Sequence, residues 1–153
     1  MRIIFTIFLF ISFDAQSDVF IIPPSDNAQE RIQEALILAQ PGDEIHLISG
    51  VYKIEDGLSL DVDNILFSGE GHDKTILDFT DQMTGAQGLL VTSNEVMLKD
   101  FAIINTKGDG IKTIGSEGIY FINLRTEWTG GPDSSNGAYG LYPVQSKNVL
   151  IDG

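Results

Sequence analysis

The segment from Glu127 to Tyr142 gathers the chain's only tryptophan, Trp128, with Tyr139 and Tyr142, and places Asp133, Asn136 and a glycine-rich run between them. Aromatic faces beside amide and hydroxyl groups suit sugar recognition, because rings stack on pyranose C–H faces while polar groups pair with hydroxyls. Long insertions of this kind are where binding surfaces form. The competing expectation is that Trp128 and Tyr142 only pack this loop onto the body of the protein. Upstream, Gly108-Asp109-Gly110 offers a carboxylate, and Asp100, Glu127 and Asp133 lie near it in sequence. Cleaving a glycosidic bond takes two carboxylates converging on it. Read locally, however, Gly-Asp-Gly is a tight turn whose aspartate satisfies backbone donors. Lys112 and Arg125 are the candidate bases, with Lys107 and Lys147 in the same half of the chain. His46 reads as a strand-face residue and His72 as a turn residue.

Charge narrows the partners. Nine Lys and Arg against 22 Asp and Glu give a formal charge of −13. Nucleic acid and anionic membranes bind through clustered positive charge, so this surface repels both. Neutral glycans, calcium-bridged acidic glycans and basic proteins remain. The chain has no cysteine, so it has neither a disulfide nor a thiolate metal site. Gly69-Glu70-Gly71 is no phosphate cradle, since no helix follows and Glu70 would repel the anion.

The elements that must position these residues read as one helix and many strands. Val19-Phe20-Ile21-Ile22 is a short strand stopped by Pro23-Pro24. A helix follows, with Asp26 expected as its cap and Gln29 completing a capping box. Ile32, Ala35, Leu36 and Ala39 form its apolar face at i, i+3, i+4 and i+7. Pro41-Gly42 ends it. Beyond Glu44 only strand and turn signals appear, and they repeat. A glycine opens one strand at Gly57, Gly88, Gly110 and Gly140. A second apolar strand starts at Ile65, Val96, Ile119 and Val149, at offsets of 8, 8, 9 and 9 residues. Successive second strands lie 31, 23 and 30 residues apart. A near-fixed internal offset with a variable total is the mark of stacked coils with loop insertions. The expected fold is therefore all-β, a right-handed parallel β-helix with a short N-terminal capping α-helix. Asn64, Asn94 and Asn148 precede three of the second strands and are expected to stack as a structural ladder.

Residues 1–17 read as a signal peptide: Arg2, an apolar run from Ile3 to Phe13, then Ala15-Gln16-Ser17. The run is too short to span a bilayer, which takes about 20 residues. Residues 18–153 form the β-helix domain of an exported, periplasmic or extracellular protein. The sequence stops at Val149-Leu150-Ile151-Asp152-Gly153 in mid-coil, so truncation at the C-terminal end is expected.

Particular stretches carry a family likeness. Ile32-Gln33-Glu34-Ala35, Gln40-Pro41-Gly42-Asp43-Glu44-Ile45 and Gly50-Val51-Tyr52 resemble the opening of the pectate-lyase-like superfamily, as does Gly69-Glu70-Gly71-His72-Asp73-Lys74-Thr75-Ile76-Leu77-Asp78. The stretches Gly108–Ile111, Glu127–Pro132, Asn136–Ser146 and Asn148–Ile151 resemble exported bacterial parallel β-helix repeat-containing proteins, whose members tend to occur beside a second exported protein. The resemblance implies a protein that binds polysaccharide or an exported partner protein. It also admits a polysaccharide lyase, epimerase or glycoside hydrolase, or a structural accessory subunit. Tyr139-Gly140-Leu141-Tyr142-Pro143-Val144 is similar in outline to the Tyr-Gly-x-Asp-Pro-His stretch of mannuronan C5-epimerases. Tyr142 and Val144 stand where those enzymes have Asp and His. Valine moves no proton, and tyrosine with a pKa near ~10 is a poor base at neutral pH. Hydrolases of the superfamily place a histidine after paired aspartates, and neither His46 nor His72 follows the acids here. Its lyases use calcium with an Arg or Lys base. That implies Lys112 or Arg125 as base and Asp100, Glu117, Glu127 and Asp133 as oxygen donors. No cofactor is read from the residues themselves.

Overall fold

The computed structural model describes residues 17–134 and 136–153. Of the signal-peptide reading, residues 1–16 lie outside the described part. The chain opens with strand β1 (Val19–Ile22) and helix α1 (Ala28–Leu38). Two short strands, β2 (Glu44–Leu47) and β3 (Gly50–Lys53), complete a first partial turn. The next coils each contribute three strands. The first is β4 (Leu58–Leu60), β5 (Leu66–Ser68) and β6 (Thr75–Asp78). The second is β7 (Gln87–Val91), β8 (Val96–Lys99) and β9 (Ala102–Ile104). The third is β10 (Asp109–Ile114), β11 (Glu117–Ile122) and β12 (Arg125–Glu127). A fourth coil begins with β13 (Leu141–Val144) and β14 (Lys147–Asp152).

Every pairing is parallel, and the strands form three sheets. The first sheet runs β1-β2-β5-β8-β11-β14, the second β13-β10-β7-β4 and the third β12-β9-β6-β3. Spacing alone indicates two strands per coil; the structure has a third. Val96, Ile119 and Val149 are direct register partners. Ile65 joins them, because Leu66 pairs with Met97 and the Met97 N–H donates to the Ile65 carbonyl at 3.0 Å. The four predicted positions thus form one aligned column. Two residues on, Ile45, Phe67, Leu98 and Phe121 form a second, buried column, which Ile151 continues in register but exposed in the last coil. Phe67 meets Phe101 edge to face, with centroids 5.1 Å apart.

At the N-terminal end α1 buries Ile32, Ala35 and Leu36 over the first coil. The capping box is not formed. Asn27 is the N-cap, but its side chain makes no capping bond to the helix and accepts from the Ser25 hydroxyl instead. Gln29 turns outward instead: its Oε1 accepts the N–H groups of Glu55 and Asp56, and its Nε2 donates to the Asp56 carboxylate. A tie to the first coil outweighs a local cap because it satisfies two strand-entry donors that would otherwise lack partners. Tyr52 fixes β1 from below, its hydroxyl held between the carbonyls of Ile22 and Ile48 at 2.7 Å each. Burial, reinforced by Glu70, pushes this phenol up to about 12. Tyr52→Phe should cost about 1 kcal/mol in a denaturant melt, the net value of one such bond.

The asparagine ladder also needs correction. The column before the second strands is Asn64, Glu95, Gly118 and Asn148, all left-handed, with φ of 57°, 54°, 73° and 51°. Asn94 stands one position earlier. Its side chain bridges coils, donating to Asp63 and accepting the Glu117 N–H, while Asn148 donates to Glu117. The backbone needs a left-handed residue at this corner, and the side-chain ladder is mixed rather than all asparagine. At the next corner Asp100 (φ 61°) and Asn123 (φ 50°) stack, the Asn123 amide donating to Asp100 at 2.6 Å. That bond, with Lys99 beside it, holds the Asp100 carboxyl below the ordinary aspartate value. A depressed folded pKa stabilises above the unfolded value of ~3.9 and is lost as pH falls through the folded one. In Asn123→Ala, carboxyl-carbon titration should show the Asp100 pKa moving back up. Among the described residues no helix is long and apolar enough to cross a membrane.

Candidate functional site

The outward face of the second sheet carries the column Ser59–Leu90–Lys112–Tyr142. Its inward neighbours Leu58, Leu89 and Ile111 are buried, which fixes the outward direction of the alternate positions. Lys112 and Tyr142 are 30 residues apart in sequence and adjacent in register. The Lys112 ammonium stands 4.0 Å from the Asp109 carboxylate and 5.2 Å from the Tyr142 ring centroid. Tyr139 stacks on Tyr142 with centroids 4.3 Å apart and planes 20° off parallel. Tyr139 is 51% exposed, and its carbonyl accepts the Gly110 N–H at 2.8 Å. The result is a half-exposed phenol stacked on a second ring, which in turn meets one cation paired with one carboxylate.

Glycines make this closeness possible. A Cβ on Gly108 would strike the Ala86 carbonyl of the coil below, and one on Gly137 would strike the Gly108 carbonyl. Gly108-Asp109-Gly110 is accordingly no tight turn. Asp109 opens β10, opposite Gln87, with its N–H on Ala86. The flanking glycines let the strand entry lie flat on the coil beneath.

The remaining predicted residues separate into a corner and a second face. Trp128 lies just beyond β12, its indole N–H donating to the Thr106 carbonyl at 2.7 Å. Thr129 binds Asn105 Oδ1 through both its N–H and its hydroxyl, and Asn105 Nδ2 reaches Thr80 at 2.8 Å. These side chains, with Asn136, line a cleft of about 290 Å³. Asn136 donates to the Gly131 carbonyl, and its N–H donates to the Asp133 carbonyl, so both residues shape the loop. Trp128 anchors the insertion that delivers Tyr139. Asn105 was missed from sequence; its left-handed φ of 61° and its place in the Ile103-Ile104-Asn105-Thr106 run are the signals that mark it. Arg125 opens β12 on the third sheet, where it pairs with Glu127 and Asp73 and donates to the His72 carbonyl. Lys112 and Arg125 therefore occupy different sheets.

Three of the carboxylates implied as calcium donors already have side-chain partners. Asp100 is engaged by Asn123 and Lys99, Glu117 by Asn148 and Glu127 by Arg125. Among the described residues no three His, Asp or Glu side chains are placed to hold a metal. The charge is unevenly spread. Residues 17–81 carry 14 Asp and Glu against 3 Lys and Arg, a net −11, whereas residues 82–153 carry 7 against 5, a net −2. The aromatic face lies in the nearly neutral half.

Three parallel sheets wound coil upon coil, closed at one end by a helix, define a right-handed parallel β-helix. No protein-family model and no curated protein matches the sequence. Among solved structures the chain is similar to AlyGC, a PL6-family alginate lyase, at 14% identity and a TM-score of 0.55, over 95% of this chain and 21% of that one. At that identity the likeness concerns the fold, and the chain spans about a fifth of the lyase's length.

Proposed function

We propose that the chain is an exported polysaccharide-binding β-helix, and that its ligand lies along the outward face of the second sheet in the third and fourth coils. The observation that carries this reading is Tyr139, half exposed yet held by its stack on Tyr142 and by its backbone bond to Gly110. A rigid aromatic face stacks on the C–H face of a pyranose at low entropic cost. Asp109 and Lys112 stand beside it to pair with hydroxyls. Of the two tyrosines, Tyr142 already contacts both Tyr139 and the Lys112 ammonium, whereas Tyr139 is half exposed and offers the freer ring. The fold's likeness to a polysaccharide lyase supports a carbohydrate ligand.

Polysaccharide cleavage is the second reading, with Lys112 as base, and it is favoured by the fold's likeness to an alginate lyase; Asp109 and the Tyr142 ring hold the Lys112 ammonium in its charged form, so it must first give up a proton to act. A glycan array with the purified protein, run with and without calcium, tests the proposal. Saturable binding without new chain ends is the expected outcome. New unsaturated ends, abolished by Lys112→Met, would establish the second reading, and no signal on any glycan would overturn both.

A further inference from the structure

The helical end of the molecule leaves apolar side chains in solvent. On α1, Ile37 is 64% and Leu38 59% exposed; on β1, Val19 is 54% and Ile21 61% exposed. They flank two adjoining grooves that share Glu34 and Leu38. One of about 280 Å³ runs between β1 and α1, and another of about 450 Å³ lies along the outer face of α1. β1 is the terminal strand of its sheet, so its second edge has no strand partner among the described residues. An apolar face next to an open strand edge is a ready docking surface.

What surrounds it selects the occupant. Glu30 and Glu34 line the grooves from the helix, and Glu44 stands opposite Val19 in the neighbouring strand. Among the described residues, Arg31 is the single basic one lining either groove. The half of the chain that holds this surface carries the net −11. A second copy would bring the same negative field against it, and an anionic lipid surface would be repelled equally. The chain's own first 16 residues hold one Arg and one Asp, a net of zero, and offer no complement. We infer that the helical cap is the docking surface for a partner protein, which engages it with an apolar segment bordered by Lys and Arg. This surface is separate from the aromatic face of the later coils, so the inference stands whether or not a glycan binds there.

The chain contains no cysteine, so Ile37→Cys creates a single thiol at an exposed position where the fold should tolerate it. Its maleimide labelling is timed alone, with an amphipathic Lys/Leu peptide, and with a Lys/Gly peptide of equal charge; Leu150→Cys, on the last coil, is the control. The Lys/Leu peptide should slow labelling at position 37 roughly tenfold, while the Lys/Gly peptide and the control site change by less than about twofold. Equal protection by both peptides, or by neither, overturns the inference. So does a thiol already protected in the free chain: independently of concentration, the chain's own N-terminal segment is the occupant; rising with concentration, a second copy is.

Discussion

Phe67→Ala should destabilise the protein by about 3–5 kcal/mol, the usual range for deleting a buried phenylalanine ring. Phe67 is fully buried in the inward column between Ile45 and Leu98, and its ring meets that of Phe101. The interior is narrow and close-packed, so the neighbouring coils can only partly collapse into the vacated space. The loss should appear as a lower denaturant midpoint. An unchanged midpoint would mean that the column is not the element that joins the coils. Leu66→Ala, at the adjacent half-buried outward position, should cost far less.

Tyr139→Ala should weaken glycan binding by about 2 kcal/mol or more, roughly thirtyfold, as expected for an aromatic anchor at the centre of a contact. The side chain is half exposed, so the fold should survive its loss. Trp128→Phe separates anchor from contact. It removes the indole bond to the Thr106 carbonyl and should cost about 1 kcal/mol of stability, with affinity reduced only as far as the loop loosens. A larger affinity loss at Trp128 than at Tyr139 would move the ligand into the corner cleft.

Much of this architecture was legible in the residues. Glycine before an apolar strand, then a second strand eight or nine residues on, located two of the three sheets, because inward positions demand apolar side chains and the strand entries at Gly57, Gly88, Gly110 and Gly140 lie too close to neighbouring segments for a side chain. The third sheet escaped because its strands are short and follow no strand-opening glycine repeat: only β9 is wholly apolar, while Asp78 in β6 and Arg125 and Glu127 in β12 break the pattern. The capping box failed because Gln29 found better partners in a coil 26 residues away. For the candidate site, sequence grouped Trp128, Tyr139 and Tyr142 as one loop. Structure splits them, with Tyr142 inside β13 and Trp128 bound to the corner. The meeting of Lys112 with Tyr142 was implicit in the repeat, since each stands two residues after its strand-opening glycine, Gly110 or Gly140, and the register between the coils makes it a contact.

Ring resonances read the account most directly. Titrating the glycan identified on the array into protein labelled at its aromatic side chains should shift the Tyr139 ring signals first and furthest, those of Tyr142 less, and the Trp128 indole N–H hardly at all. Movement of the Trp128 indole signal while Tyr139 stays still would contradict the account and place the ligand elsewhere on the solenoid.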